Sequence, residues 1–270
     1  MGDAKRRKQA GAAALNEARR DDFRQGFNEA ERAQLDRAID LAYRHTRTGI
    51  AHARAATDDA ARGTALAAAH MECARIHDAL TEEFLANGAD GPRIRRDIAC
   101  KKGCFFCCHV NVEVSILEAI AVALVARTDP EKVAKVMATA PTIAGLSAKE
   151  RIAKRTLCPL LKDGACSVYD ARPRACRAFT SFSAQRCEEE FLRGDAPGKK
   201  FLSFGWPRIL SAAASHGVQQ ACAHDGVQSF TVELTAGVAV VLTDAQAIVR
   251  WLAGEAVFAT FSPVEVTAHR

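Results

Sequence analysis

Cysteine placement constrains this chain more than any other feature of its sequence. Eight of the ten cysteines lie between residues 100 and 187 of the 270. The first four belong to the segment CKKGCFFCC, which begins at Cys100, and the others run from Cys158 to Cys187. Cysteine can serve as a small core residue, but four cysteines beside two lysines are a poor core in a chain where alanine is abundant. Clustered thiolates need a cation among them, so we expect this segment to fold around metal.

The spacing of the first four cysteines fits two local structures. On a helix, Cys100, Cys104, Cys107 and Cys108 would fall within about one 100° stripe. In a loop, Gly103 would allow a tight turn that points the thiols inward. Either structure brings several thiols to one point.

The later cysteines lie among turn signals. Lys162-Asp163-Gly164 predicts a turn, so Cys158 and Cys166 should flank a short hairpin. Arg172-Pro173 predicts extended backbone before the turn that delivers Cys176. The basic residues Arg172, Arg174 and Arg177, with Lys101 and Lys102, either offset the negative charge of a thiolate centre or form a solvated surface.

The rest of the chain guides how the cysteines are interpreted. We find no signal-peptide pattern, and the longest apolar run, 114–126, is too short for a membrane span and contains Glu118. We therefore expect a cytoplasmic protein that does not bind membranes. Reducing cytoplasm favours metal sites over disulfides. The net charge of +5 and a single basic run, Lys5–Lys8, do not predict nucleic-acid binding.

Over residues 100–179 the chain resembles the YkgJ-type cysteine-cluster (CxxCxxCC) proteins, a family described as zinc- or iron-chelating. The motif is the CxxxCxxCC segment followed by Cys166, Tyr169, Arg172, Pro173, Cys176 and Arg177. The resemblance implies that the seven cysteines from Cys100 to Cys176 are metal ligands. Cys187 lies beyond the core motif and is an eighth candidate. The candidate ligands are Cys100, Cys104, Cys107, Cys108, Cys158, Cys166, Cys176 and Cys187.

The ligand pattern favours an iron–sulfur cluster, with zinc as the alternative. Soft thiolates suit both. Structural zinc sites usually use paired CxxC units, and within the cluster only Cys104 and Cys107 have that spacing. Iron–sulfur runs use close triplets and often end in Cys-Pro; Cys100, Cys104 and Cys107 form a triplet, and Cys158 precedes Pro159. The same triplet spacing occurs in radical S-adenosylmethionine enzymes, but the chain lacks the strand–helix alternation of their barrel.

We predict a mainly α fold in three segments. Residues 1–92 form a helical hairpin. Thr57 or Asp58 caps its second helix, Asn87-Gly88 ends that helix, and a further break in the chain lies near Gly49. Residues 93–200 form a loop-rich cysteine domain with helices that start near Ser115, Asp129 and Ser147. Residues 201–270 form a helical extension with a helix over 207–223, a β-hairpin of SFTVEL and VAVVL around TAG, and a helix capped by Asp244 that runs to about 258.

The remaining candidates are weaker, and the sequence leaves catalysis undecided. His70, Cys73 and His77 share a helix face, with His45 and His52 on the facing helix. Ordinary packing is their simplest interpretation, and a second metal site is the alternative. We find no motif that nominates a catalytic residue. Two classes of function stay open: a zinc-stabilised scaffold whose helices dock a protein partner, and a redox or group-transfer enzyme. Flagellin lysine methylases contain a similar cluster, which is compatible with the second class.

Overall fold

The computed structural model describes residues 25–193 and 202–258, and within them the fold is mainly helical. The basic run Lys5–Lys8 lies outside these residues. The helices are α1 Glu29–Ala55, α2 Asp59–Asn87, α3 Gly91–Asp97, α4 Ile116–Ala126, α5 Pro130–Ile143, α6 Ala148–Lys154, α7 Arg174–Ala178, α8 Ala184–Arg193, α9 Trp206–His224, α10 Leu234–Thr243 and α11 Ala247–Leu252. The strands are β1 Glu113–Ser115, β2 Leu161–Lys162, β3 Ala165–Cys166 and β4 Thr231–Glu233. No helix within the described ranges has the length and apolar character to cross a membrane.

The first two helices form the predicted hairpin. The side chain of Asp58 accepts a hydrogen bond from the Ala61 amide and caps α2, and Gly88 is its C-cap. The break expected near Gly49 does not occur. α1 runs through this position, where glycine permits close packing of the two helices. A Cβ at residue 49 would lie only 2.5 Å from the Cβ of Ala69 on α2.

The helix α9 packs on both helices of the hairpin. At Gly217 a Cβ would lie 2.2 Å from the carbonyl oxygen of Ile39, so the backbones of α9 and α1 nearly touch. At the start of α9, Trp206 stacks on Phe84 with ring centroids 4.8 Å apart. The indole N–H of Trp206 donates to Gln34 Oε1 at 3.0 Å. The core therefore includes residues from both ends of the chain.

The predicted hairpin around TAG is wrong. SFTVEL supplies β4, which pairs antiparallel with β1 from the middle of the chain, whereas VAVVL lies inside α10. Glu233 accepts from the Ala236 amide and caps this helix. Gly237 faces α4, where a Cβ would lie 2.9 Å from the Cβ of Ala119. Tertiary packing thus overrides the β-propensity of the valines.

One further helix in the described ranges differs in its limits from the prediction. α11 ends at Leu252 rather than near residue 258, and Gln246 is its N-cap residue, although Asp244 does accept a hydrogen bond from the Gln246 amide at 2.8 Å. By contrast, the helices expected at Ser115, Asp129 and Ser147 begin where predicted, each with its capping side chain bonded to a backbone amide. The division into three segments stays a prediction.

Candidate metal centre

The first four cysteines lie in a loop that links α3 to β1, not on a helix. Successive turns shape this loop: the Cys104 amide donates to Lys101 O at 3.0 Å, and the Cys108 amide donates to Phe105 O at 2.8 Å. Gly103 has a φ of +90°, a conformation that favours glycine. The loop alternative is therefore correct for this segment.

The second set of cysteines lies beside the first. The Cys158 amide donates to the carbonyl oxygen of Cys108 at 2.6 Å, which joins the two sets through the backbone. The predicted hairpin follows as β2 and β3, in which Leu161 pairs with Cys166. Its turn has positive φ at Asp163 and Gly164, as the sequence predicts. This turn sets Cys166 beside the strand that follows Cys158.

A short helix, α7, carries Cys176, and two arginines on it anchor it to the helical scaffold. Arg174 is fully buried and pairs with Glu118 of α4, with Nη2 3.2 Å from Oε2, and its amide donates to Glu118 Oε1 at 2.8 Å. Arg177 pairs with Asp78 of α2 at 2.8 Å. Because both arginines flank Cys176, the scaffold determines where this thiol lies.

The last candidate, Cys187, also lies close to the loop. It is buried on α8 and hydrogen-bonds with the side chain of Ser181. The amide of the same serine donates to Cys100 Sγ at 3.2 Å. Ser181 therefore holds together the first and the last cysteine of the cluster.

The electrostatic interactions divide the thiols into two groups. Burial raises the pKa of Cys100, and Cys104, Cys107 and Cys187 raise it further. Burial likewise raises the pKa of Cys187, with added contributions from Cys104 and Cys107. We call Cys100, Cys104 and Cys187 the loop group.

The other group surrounds the hairpin. Burial raises the pKa of Cys176, and the thiols of Cys158, Cys107 and Cys166 add to the rise. Burial also raises the pKa of Cys158 to about 12, with a smaller contribution from Cys166. We call Cys158, Cys166 and Cys176 the hairpin group. Cys107 acts on both groups and hydrogen-bonds with Cys108, so the vicinal pair lies between them.

These groups are neighbourhoods of thiols rather than finished coordination shells. Within residues 25–193 and 202–258, no three His, Cys, Asp or Glu side chains already have a geometry that could hold a metal ion. None of the ten cysteines forms a disulfide. The assignment of eight ligands therefore stays a prediction, and ligation would require rotation of the cysteine side chains.

Two arginines next to the thiols fit an anionic thiolate centre. Arg172 lies over the Tyr169 ring at 3.8 Å and lowers the pKa of Cys107, Cys166 and Cys176. Its Nε is buried without a hydrogen-bond partner among the described residues. Unpaired buried donors are costly, and sulfur that carries negative charge would be a suitable acceptor.

The second arginine, Arg151 on α6, was not singled out from the sequence. It is 2% exposed, and its Nε and Nη1 likewise have no partner in the described part of the chain. Its charge lowers the pKa of Cys158. Among the arginines singled out from the sequence, Arg174 and Arg177 instead pair with carboxylates of the scaffold.

The histidines on the helical hairpin are engaged in packing. Nε2 of His77 is 3.0 Å from Pro207 O, and its Nδ1 is 3.0 Å from Asp78 Oδ1. Nε2 of His70 is 3.1 Å from Ala171 O. Cys73 is buried, with Sγ 3.9 Å from Thr46 Oγ1. These contacts favour the packing interpretation over a second metal site.

One histidine inside the cysteine domain was overlooked. His109 follows Cys108 directly and is 4% exposed, and its Nδ1 is 2.7 Å from the carbonyl oxygen of Phe106. It lines a cavity of about 30 Å³ together with Cys107, Cys187 and Glu190. The signal was present as the tripeptide CCH, in which a third soft donor follows two cysteines.

The fold and the chemistry of these side chains define a thiol-rich metal-binding domain on a helical scaffold. Residues 99–195 match the CxxCxxCC family, described as a "putative zinc- or iron-chelating domain". This segment of 97 of the 270 residues resembles that family, which confirms the resemblance seen in the sequence. Its first two cysteines are separated by three residues, one more than the family's name gives. No curated protein and no solved structure matches the chain.

Proposed function

We propose that the cysteine domain holds metal in two adjacent thiolate centres, with iron–sulfur clusters as the favoured occupant and zinc as the alternative. The observation that carries this proposal is the division of the thiols into a loop group and a hairpin group with a vicinal pair between them. Adjacent cysteines rarely reach one ion comfortably. Cys107 and Cys108 are therefore suited to serve different centres.

The backbone indicates how the vicinal pair divides. The carbonyl oxygen of Cys108 accepts a hydrogen bond from the Cys158 amide, which favours the hairpin group for Cys108. Cys107 raises the pKa values of Cys100 and Cys187, which favours the loop group for this residue, although it raises the pKa of Cys176 as well. The division gives each centre four thiols, the number that both a cubane cluster and structural zinc require.

Charge supports metal in these groups. Four thiolates around one Zn²⁺ leave a net charge of about −2, and a four-thiolate iron–sulfur cluster is also anionic. The unpaired guanidinium donors of Arg151 and Arg172 lie where they can offset this charge. Without a cation, burial and neighbouring thiols raise the pKa values of Cys100, Cys158 and Cys176, so metal binding at these residues must displace protons.

Iron–sulfur occupancy is favoured by the ligand spacing. The loop group contains the close triplet that ends at Cys107, and Cys158-Pro159 repeats the ending of bacterial cluster motifs. A bound cluster would supply one-electron redox chemistry. Methylase-like group transfer is the alternative, and a protein partner for the N-terminal helices stays a prediction.

The test is the metal content and visible spectrum of anaerobically purified full-length protein. Brown protein with stoichiometric iron and sulfide is the expected result, and colourless protein with zinc would support the alternative. Cys104→Ser and Cys176→Ser should each lower metal content and thermal stability together, because metal binding contributes folding free energy. Cys222→Ser is the matched control, since Cys222 is buried outside the cluster. Fully folded, metal-free wild type, or unchanged metal in both cluster variants, would overturn the proposal.

A further inference from the structure

The geometry points to His109 as a metal ligand, through Nε2, at the centre that contains Cys107 and Cys187. This inference rests on the proposed function and refines it: the nitrogen of His109 would take one of the four ligand positions of the loop centre, so that one of the four thiols assigned there is not a ligand. His109 belongs to the same loop as the first four cysteines and follows the vicinal pair directly.

The first argument is the hydrogen bond at the other ring nitrogen. Nδ1 of His109 is 2.7 Å from Phe106 O, and a carbonyl oxygen can only accept, so Nδ1 carries the proton. In the neutral ring, Nε2 is then left with a free lone pair. Metal-ligating histidines usually have this arrangement, in which a backbone carbonyl fixes the tautomer and the ring orientation.

The second argument is what surrounds the ring. His109 is 4% exposed and lines the small cavity together with Cys107, Cys187 and Glu190, two of which are thiols. Phe191 holds one side of the imidazole, with ring centroids 5.1 Å apart. No hydrogen-bond partner for Nε2 occurs among residues 25–193 and 202–258, so this nitrogen is available for ligation.

The other buried histidines have different surroundings. Both ring nitrogens of His77 have partners, and neither partner is a thiol. His70 uses Nε2 for the Ala171 carbonyl, and the charged groups that act on its pKa are Glu118, Arg174 and Arg177. His109 thus combines a fixed tautomer, burial and thiol neighbours in the described part of the chain.

Charge gives a physical reason for a histidine here. A neutral imidazole adds a ligand without adding a negative charge. Phe106, Val110, Ile152 and Phe179 make much of this cavity apolar, and an apolar cavity disfavours additional thiolate charge. A mixed cysteine–histidine shell therefore suits this side of the cluster better than a purely anionic one.

The experiment uses ¹¹³Cd²⁺ as the probe, bound to metal-free full-length protein that carries ¹⁵N-labelled histidine. The expected result is a one-bond ¹⁵N–¹¹³Cd coupling to a single imidazole in the wild type, which disappears in His109→Ala. His109→Cys should retain the cadmium, with its resonance shifted towards that of a sulfur-richer site. Release of cadmium to a chelator should be at least about 10-fold faster from His109→Ala than from wild type.

His52→Ala is the matched control, because His52 is exposed on α1 and should leave the coupling and the release rate unchanged. Cadmium bound to the wild type without imidazole coupling would overturn the His109 assignment and leave the thiolate centres standing. Wild type that binds no cadmium would overturn both. If the alanine variant fails to fold, loss of the imidazole coupling from cadmium-loaded His109→Cys supports the assignment, and coupling that persists in this variant overturns it.

Discussion

Replacing Glu118 by Gln would remove one charge from the buried pair with Arg174 while the shape of the side chain is kept. Glu118 Oε2 accepts from the Ser115 amide at 2.9 Å and from its hydroxyl at 2.8 Å, and Oε1 accepts from the Arg174 amide. Glutamine can retain the capping box, but it cannot neutralise the guanidinium. Arg174 is 0% exposed, and its Nε and Nη1 already have no partner among the described residues.

The expected loss follows from leaving one charge buried and unpaired. Removal of one partner of a buried ion pair costs about 3–5 kcal/mol. Because glutamine still accepts hydrogen bonds, we expect the lower end, about 3 kcal/mol. For a chain of this size that loss lowers the Tm by roughly 6–12 °C. Since Arg174 lies two residues before Cys176, metal content should fall as well.

The assay is thermal unfolding followed by far-UV circular dichroism, with metal analysis of the same samples. Glu150→Gln is the matched control, because Glu150 forms the same capping box with Ser147, with bonds of 2.8 and 2.7 Å, but is itself exposed and hydrogen-bonds to Ser147 rather than to an arginine. Its Tm should stay close to that of the wild type. Equal Tm values for the two variants would refute the reasoning that the buried charge pair anchors α7.

Three further predictions concern packing, pH and protons. Gly217→Ala should lower the Tm, because the added Cβ would lie 2.2 Å from the carbonyl oxygen of Ile39. Gly205→Ala is the control and should not lower the Tm, because the space around Gly205 is open. Equal Tm values for the two variants would contradict the close approach of α9 and α1. Burial raises the pKa of Cys222 from 9.0 to about 12, so the thiol of the unfolded chain ionises first as the pH rises. The stability that is present below pH 9 should therefore be lost between pH 9 and 12, by up to about 1.4 kcal/mol per pH unit. The stability of Cys222→Ala should depend less steeply on pH, and an unchanged slope would count against a buried thiol. Zinc added to metal-free protein should release several protons per chain, measured with a pH indicator in weak buffer, because the thiols of Cys100, Cys158 and Cys176 have raised pKa values. Proton-neutral uptake would contradict thiolate ligation.

Much of the local structure could be predicted because short-range signals determine it. Capping residues such as Asp58 and Ser115 begin their helices where the sequence predicts, since the cap bonds form within one turn. The turn at Asp163-Gly164 also forms as predicted, because it depends on residues that favour positive φ. The family was recognisable from its motif for the same reason, as its spacing is local.

Long-range packing decided the rest. VAVVL became a helix because Glu233 caps it and Gly237 lets it approach α4, which local propensity does not encode.

The cysteine content and motif by themselves predicted a metal-chelating domain, and the family match over residues 99–195 supports metal binding. The division of the thiols into a loop group and a hairpin group is visible only in the tertiary structure. The same holds for the burial of Arg174 against Glu118 and for the position of His109 in the cavity beside Cys187. The physical reason is that ligand type is a property of single residues, whereas the grouping of ligands depends on contacts between residues far apart in the chain.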